Sequence, residues 1–145
     1  MNGLTFESPS IQSYLGILQS VINRMAANSN GCKTWCIALV SATIVILADK
    51  GKPECVWVTT VPIVLFFFLD SYYLGLEHRF RAKYDEFIHK LHVGSATIED
   101  VFIVTPEASL WETVKATIKA CSSISIWPFY GLLALMLVIV RVWIL

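Results

Sequence analysis

Apolar residues fall into three dense runs separated by mixed and polar stretches. Trp35–Ala48 reads WCIALVSATIVILA, Cys55–Leu76 reads CVWVTTVPIVLFFFLDSYYLGL, and Ser125–Leu145 reads SIWPFYGLLALMLVIVRVWIL. A helix needs ~20 mostly apolar residues to cross the ~30 Å hydrocarbon layer of a bilayer. The second and third runs meet that length with one charge each, Asp70 and Arg141. The first run is short, although Cys32–Lys33–Thr34 extends it. A buried helix of a soluble core is the competing reading for it. The tight link Gly51–Lys52–Pro53–Glu54 joins the first two runs and favours a paired hairpin of spans.

Between the dense runs the spacing is that of amphipathic helices. Ile11, Tyr14, Leu15, Leu18, Val21, Ile22 and Met25 recur at three- and four-residue intervals and share one face. Ser8 is a capping residue with Pro9 at the first helical position, and Asn28–Ser29–Asn30–Gly31 reads as the terminating turn. This predicts an N-terminal helix over 9–27. Arg24 is its one charge, so a basic, lipid-seeking face is absent and packing on protein is favoured. After the second run, Phe80, Tyr84, Phe87, Ile88 and Leu91 form a stripe opposite Arg79, Lys83, Asp85, Glu86 and Lys90. The spacing predicts one helix from Val56 to His92, ~55 Å long, kinked at Pro62 and ended by Val93–Gly94–Ser95. Thr97 and Asp100 have capping-box spacing. Thr105–Pro106–Glu107 reads as the start of a further helix, with Leu110, Trp111, Val114 and Ile118 on its apolar face.

The expected architecture is therefore an all-α integral membrane protein with about three transmembrane helices. Its segments are an amphipathic helix (1–31), a two-span hairpin (32–76), a cytoplasmic helical region (77–124) and a C-terminal span (125–145). Composition agrees. Hydrophobic residues make up 56% and charged residues 15%, against about 45–50% and about 25% in soluble domains. Mean hydropathy is +0.64. Eleven Lys and Arg balance eleven Asp and Glu, so no net field draws nucleic acid. These values exclude a disordered chain, a small soluble enzyme and a strongly basic nucleic-acid binder. The first thirty residues are too polar for a cleavable signal peptide.

Basic residues set the expected orientation. Arg24, Lys33, Arg79, Arg81, Lys83, Lys90, Lys115 and Lys119 flank one side of the spans, and Lys50 and Lys52 the other. The positive-inside rule then puts the N-terminus and 77–124 in the cytoplasm, with the 50–54 link and the C-terminus outside. Trp35, Trp57, Tyr72, Tyr73, Trp127 and Trp143 lie near the ends of the runs, where headgroup-level aromatics are favoured.

Asp70 is the sharpest chemical feature. It follows LFFFL and lies ~9 Å along the helix from Leu76. A carboxylate at such a depth is costly unless it meets water, a donor or a cation. One reading is a pore-lining or gating acid, or a polar contact between subunits. The other is an interfacial Asp bonding water, Tyr73, a Thr or backbone. Arg141 either snorkels outward or pairs with Asp49. Ala38 with Ala42, and Ser71 with Gly75, are small residues four apart that let helices approach closely. Phe80, Tyr84, Phe87, Ile88, Leu91 and Trp111 form candidate faces for a cytoplasmic protein partner.

His89 and His92 share a helix face, but no cysteine joins them at metal-ligand spacing, so solvent exposure is the expectation and no metal site is assigned. Cys32 and Cys36 are four apart, and with Cys55 and Cys121 they make no disulfide framework; apolar packing is expected. Phosphate-binding glycine loops, GxSxG and HExxH are absent, so neither enzyme activity nor a cofactor is expected.

The order of parts over residues 9–92 is an amphipathic helix, a tight hairpin through Gly51–Lys52–Pro53–Glu54, then LDSYYLGLEHRFRAKYDEF. It resembles the SLATT-type two-span bacterial effectors of anti-phage and conflict systems. That resemblance implies a homo-oligomer in the inner membrane that permeabilises it when a cytoplasmic sensor signals. The third run lies outside the two-span pattern. The competing expectation is a non-conducting membrane anchor or sensor scaffold that recruits a cytoplasmic protein.

Overall fold

A computed structural model of the chain describes residues 7–51, 53–104 and 109–143. Among them all regular structure is helical. The α-helices are α1 (Pro9–Asp49), α2 (Thr60–Val93), α3 (Leu110–Cys121) and α4 (Trp127–Trp143), with 3-10 turns at Pro53–Thr59 and Ile98–Asp100.

Helix α1 starts as its sequence dictates. The Ser8 carbonyl accepts the Ile11 and Gln12 N–H groups at 3.0 and 3.2 Å, with Pro9 in the first turn. It does not stop at Asn28–Ser29–Asn30–Gly31, and the expected turn there is overturned. Its buried stripe is Ile11, Tyr14, Leu18, Ile22, Met25, Ser29, Cys32, Cys36 and Val40, in unbroken steps of three and four. Ser29 and Cys32 hold the phase through the polar stretch. Turn propensity there is worth about 1 kcal/mol per residue at most, and continuous packing against α2 outweighs it. One 41-residue helix thus replaces the expected short helix and separate short span.

Gly51, at φ +58°, takes the left-handed conformation that ends α1. Lys52 of the link lies outside the described residues. Helix α2 begins at Thr60 rather than Val56, so Pro62 falls in its first turn. A missing N–H is harmless there, because first-turn donors have no intrahelical acceptor. This replaces the expected mid-helix kink. Gly94, at φ +72°, closes α2, with its N–H on Leu91 O at 3.2 Å and Ser95 N–H on Lys90 O at 3.0 Å. Thr97 and Asp100 form the anticipated capping box. The expected helix start Thr105–Pro106–Glu107 lies outside the described residues; α3 is capped instead by Ser109, whose Oγ accepts from Trp111 N at 3.1 Å. Helix α4 has 17 residues, ~25 Å at 1.5 Å per residue, and Ile144–Leu145 of the expected third span lie outside the described residues.

The register follows from a few contacts. Cys36 Sγ lies 4.0 Å from Pro62 O, Ser29 bonds Asp70, and the Tyr14 and Phe87 rings pack with centroids 4.8 Å apart. Each pair of numbers sums to about a hundred, so α1 and α2 form an antiparallel hairpin along their whole length. On α2, Gly75 meets Ala116–Thr117, Arg79 bonds Thr113, and Phe66 O accepts from Tyr130. Helices α3 and α4 therefore run antiparallel to α2, one after the other, and the break between them falls level with Asp70.

Two apolar clusters hold the bundle. One gathers Cys36, Val40, Ile63, Leu74, Ala120, Ile126 and Tyr130. The other, toward the N-terminus of α1, gathers Ile11, Tyr14, Leu18, Phe87, Leu91 and Val101. The first half of the hairpin to meet the link is apolar outside as well as inside, with Trp35, Val45, Ile46, Val61, Leu65 and Phe68 all exposed. Helix α1 and the stretch Cys55–Val93 are long and apolar enough to cross a membrane by length and composition. Only 17% and 28% of their most apolar windows are buried within the chain, whereas a soluble core helix is mostly buried. The apolar part of α4, Trp127–Val142, is shorter.

Candidate functional site

The expected site residue Asp70 is fully buried, at 0% exposure. It lies in α2 between Ile63 and Leu74 of the first cluster. Its partners come from α1, one helical turn apart. Ser29 Oγ donates to Oδ1 at 2.5 Å. The Lys33 ammonium sits 2.7 Å from Oδ2 as an ion pair and donates to Ser29 Oγ at 3.4 Å. The lysine reaches inward along its apolar stem and remains partly exposed. The acid thus finds its cation within its own chain. A buried pair of this kind adds little net stability, but losing one partner costs about 3–5 kcal/mol because a bare charge stays behind. Its geometric effect is orientation: Ser29 and Lys33, one turn apart, fix which face of α1 is turned to Asp70.

Sequence reasoning found Asp70 but missed Ser29 and Lys33 as its partners. It placed Ser29 in a turn and used Lys33 only for orientation. The available signal was the spacing Met25–Ser29–Cys32–Cys36, which continues the helical stripe without a phase change.

The small-residue pairs divide. Ser71 and Gly75 are buried, and a Cβ on Gly75 would come within 3.1 Å of the Ala116 and Thr117 backbone, so Gly75 seats α3. Ala38 and Ala42 are both exposed on the apolar half of α1. Asp49 is exposed and Arg141 half-buried. Among the described residues they form no ion pair with each other, so of the two alternatives for Arg141 the pairing with Asp49 is not seen. All four cysteines are free, Cys32 and Cys36 buried in the α1 stripe.

A second arrangement lies at the other end of the hairpin. Tyr14 donates its hydroxyl to Ile103 O at 2.8 Å. Lys90 Nζ reaches Asp100 Oδ1 at 3.0 Å and Glu86 Oε1 at 3.3 Å. Thr97 N–H and Oγ1–H donate to Asp100 Oδ2, each at 2.9 Å. These bonds strap the segment after Gly94 across α1 and α2. The Thr97 N–H, then the Lys90 ammonium and the Thr97 hydroxyl, hold the Asp100 carboxyl down at about 2. Burial, and next the negative charge of Asp100, push the Tyr14 phenol up. Hydrogen bonds to Asp100 and Glu86 raise Lys90. Between strap, α2 and α3 lies a cleft of about 500 Å³, with Arg79, Lys83 and Lys90 facing Glu86, Asp100 and Glu112 around it. Arg79 is fixed by Thr113, its Nη1 2.7 Å from Oγ1.

The face expected to await a partner is largely covered from within. Phe87 and Leu91 are buried, and Phe80, Tyr84 and Ile88 half-buried, against Ile11, Tyr14, Leu15, Leu18 and Val101. The two predicted amphipathic stripes satisfy each other. Trp111 is 63% exposed. His78, His89 and His92 are exposed, and His92 Nδ1 lies 3.0 Å from Ile88 O. Among the described residues no three His, Cys, Asp or Glu side chains converge.

No protein-family model, curated protein or solved structure matches this chain.

Proposed function

We propose that this chain is a bilayer-embedded, multi-pass anchor that presents a charged cytoplasmic cleft to a soluble protein partner. The apolar half of the α1–α2 hairpin sits in lipid, with α4 beside it as a third, shorter crossing. The N-terminus of α1, the second half of α2 and the strap lie in the cytoplasm, as the distribution of Lys and Arg requires. The observation that carries the reading is the cleft itself. It is open, lined by charges of both signs, and braced by Tyr14–Ile103, Lys90–Asp100 and Arg79–Thr113. A partner segment of alternating charge fits it. No catalytic step and no second copy is required.

The channel-forming effector is the second reading. It is favoured by one observation, a buried carboxylate paired with a partly exposed lysine beside an apolar cluster, level with the α3–α4 break. On that reading assembly or a signal parts Lys33 from Asp70 and exposes both to water.

A photo-reactive residue at Ala82, on the cleft wall, separates the two. The anchor reading predicts a covalent adduct with a soluble protein in intact cells and none from Leu135 on the exposed face of α4. It also predicts that liposomes carrying the purified chain keep their dye and their potential. Leakage of either, with no adduct at Ala82, overturns it in favour of the channel.

A further inference from the structure

We infer that α3 lies in the inner leaflet with its outer face against lipid, and that Lys115 and Lys119 on that face bind anionic lipid headgroups. The inference rests only on the bilayer reading of the hairpin and is independent of the cleft. It changes the assignment of 77–124 as wholly cytoplasmic.

Depth comes from the register on α2. Thr113 lies opposite Arg79 and Ala116–Thr117 opposite Gly75, so Ala120 comes level with Ser71–Tyr72. The apolar run of α2 ends at Leu76. The last turn of α3 is therefore at the depth of the apolar half, and Ala120 is buried in its cluster. Trp111 lies on the other side of Leu76 by ~7 Å, within a headgroup layer about 5–7 Å thick.

The exposed chemistry matches that depth. Leu110, Trp111, Val114 and Ile118 all face outward, and Ile124 and Trp127 continue the exposed apolar surface into α4. Exposed apolar residues on α3, at Ile124 and Trp127, and on along α4 argue for lipid over a docked protein. Lys115 Nζ lies 5.6 Å from the centre of the Trp111 ring, so a cation and an indole occupy the level that both prefer at a membrane surface. Glu112 turns instead to the cleft, leaving the outer face basic.

The test is fluorescence quenching of the full chain in vesicles of phosphatidylcholine and phosphatidylglycerol, with bromine placed near the headgroup or near the chain end. The difference between the wild type and Trp111→Phe isolates Trp111; a variant retaining Trp127 alone serves as the embedded control. The inference predicts that headgroup-proximal bromine quenches Trp111 more than deep bromine. Brominated phosphatidylglycerol should quench it more than brominated phosphatidylcholine, by up to about fivefold per lysine, and a Lys115→Gln/Lys119→Gln variant should lose that preference. Quenching of Trp111 by aqueous iodide alone, with Trp127 quenched by lipid, overturns the inference and leaves the hairpin in the bilayer. Shielding of Trp111 from both, with cross-links between copies, assigns the face to a second chain and overturns it equally. If Trp127 also escapes lipid bromine, the bilayer reading fails and this inference with it.

Discussion

Asp70 shows how one residue sets a constraint that its neighbours must meet. Its buried carboxylate is neutralised by Lys33 and accepts a hydrogen bond from Ser29, both on the facing helix. Asp70→Ala should therefore destabilise the chain by about 3–5 kcal/mol, because the lysine is left without its anion. Replacing both, as Lys33→Met with Asp70→Leu, should recover most of that loss or exceed the wild type. Thermal unfolding in detergent reads both variants; equal losses in the single and double variants would show that the pair is not coupled. Asp70 was legible in the sequence because a lone acid in an apolar run stands out. Its partners were not, because Ser29 sits in a stretch whose local propensity is that of a turn. Propensity is a local quantity, and the ion pair is a tertiary one.

At the scale of elements, the hairpin and the amphipathic stripes were readable, and the continuity of α1 through Asn28–Gly31 was not. Gly94 ended α2 as its sequence indicates, and the capping box formed at Thr97. The Asn28–Gly31 stretch reads as a break only when the phase of the stripe across it is ignored. Gly31 gives a sharp discrimination. It is helical, with no atom within 4 Å of a Cβ placed on it. Gly31→Ala should stabilise the chain by about 0.4–1 kcal/mol, seen as a raised melting temperature. A lowered one would show that Gly31 serves a turn after all.

The strap carries its own signature in acid. Asp100 is held below its ordinary value of 3.8, at about 2. A lowered carboxyl contributes stability that is complete above its unfolded value and lost as pH falls through the folded one. Hydrogen-exchange protection of residues 95–104, corrected for intrinsic rates, should therefore fall between about pH 4 and pH 2. Protection that persists unchanged to pH 2 would remove Asp100 from the strap.

For the whole molecule, the partition between inside and outside is the informative property. The face of 77–92 that the sequence offers to a partner is covered by the N-terminal half of α1, which the stripes alone did not specify: two complementary faces do not say whether they meet each other or a stranger. The apolar surface left over lies around the link, along α4 and on the outer side of α3. A chain that buries Asp70 and exposes its Trp, Val and Phe side chains suits a solvent of hydrocarbon. The most direct test uses the native Cys55, exposed at the far end of the hairpin, in a Cys121→Ser background that leaves only the buried Cys32 and Cys36 beside it. A membrane-impermeant maleimide should tag Cys55 in right-side-out membrane vesicles and spare it in sealed inside-out ones. Cys55 protected in the first and reactive in the second, or equally reactive in a protein recovered without detergent, would contradict the account.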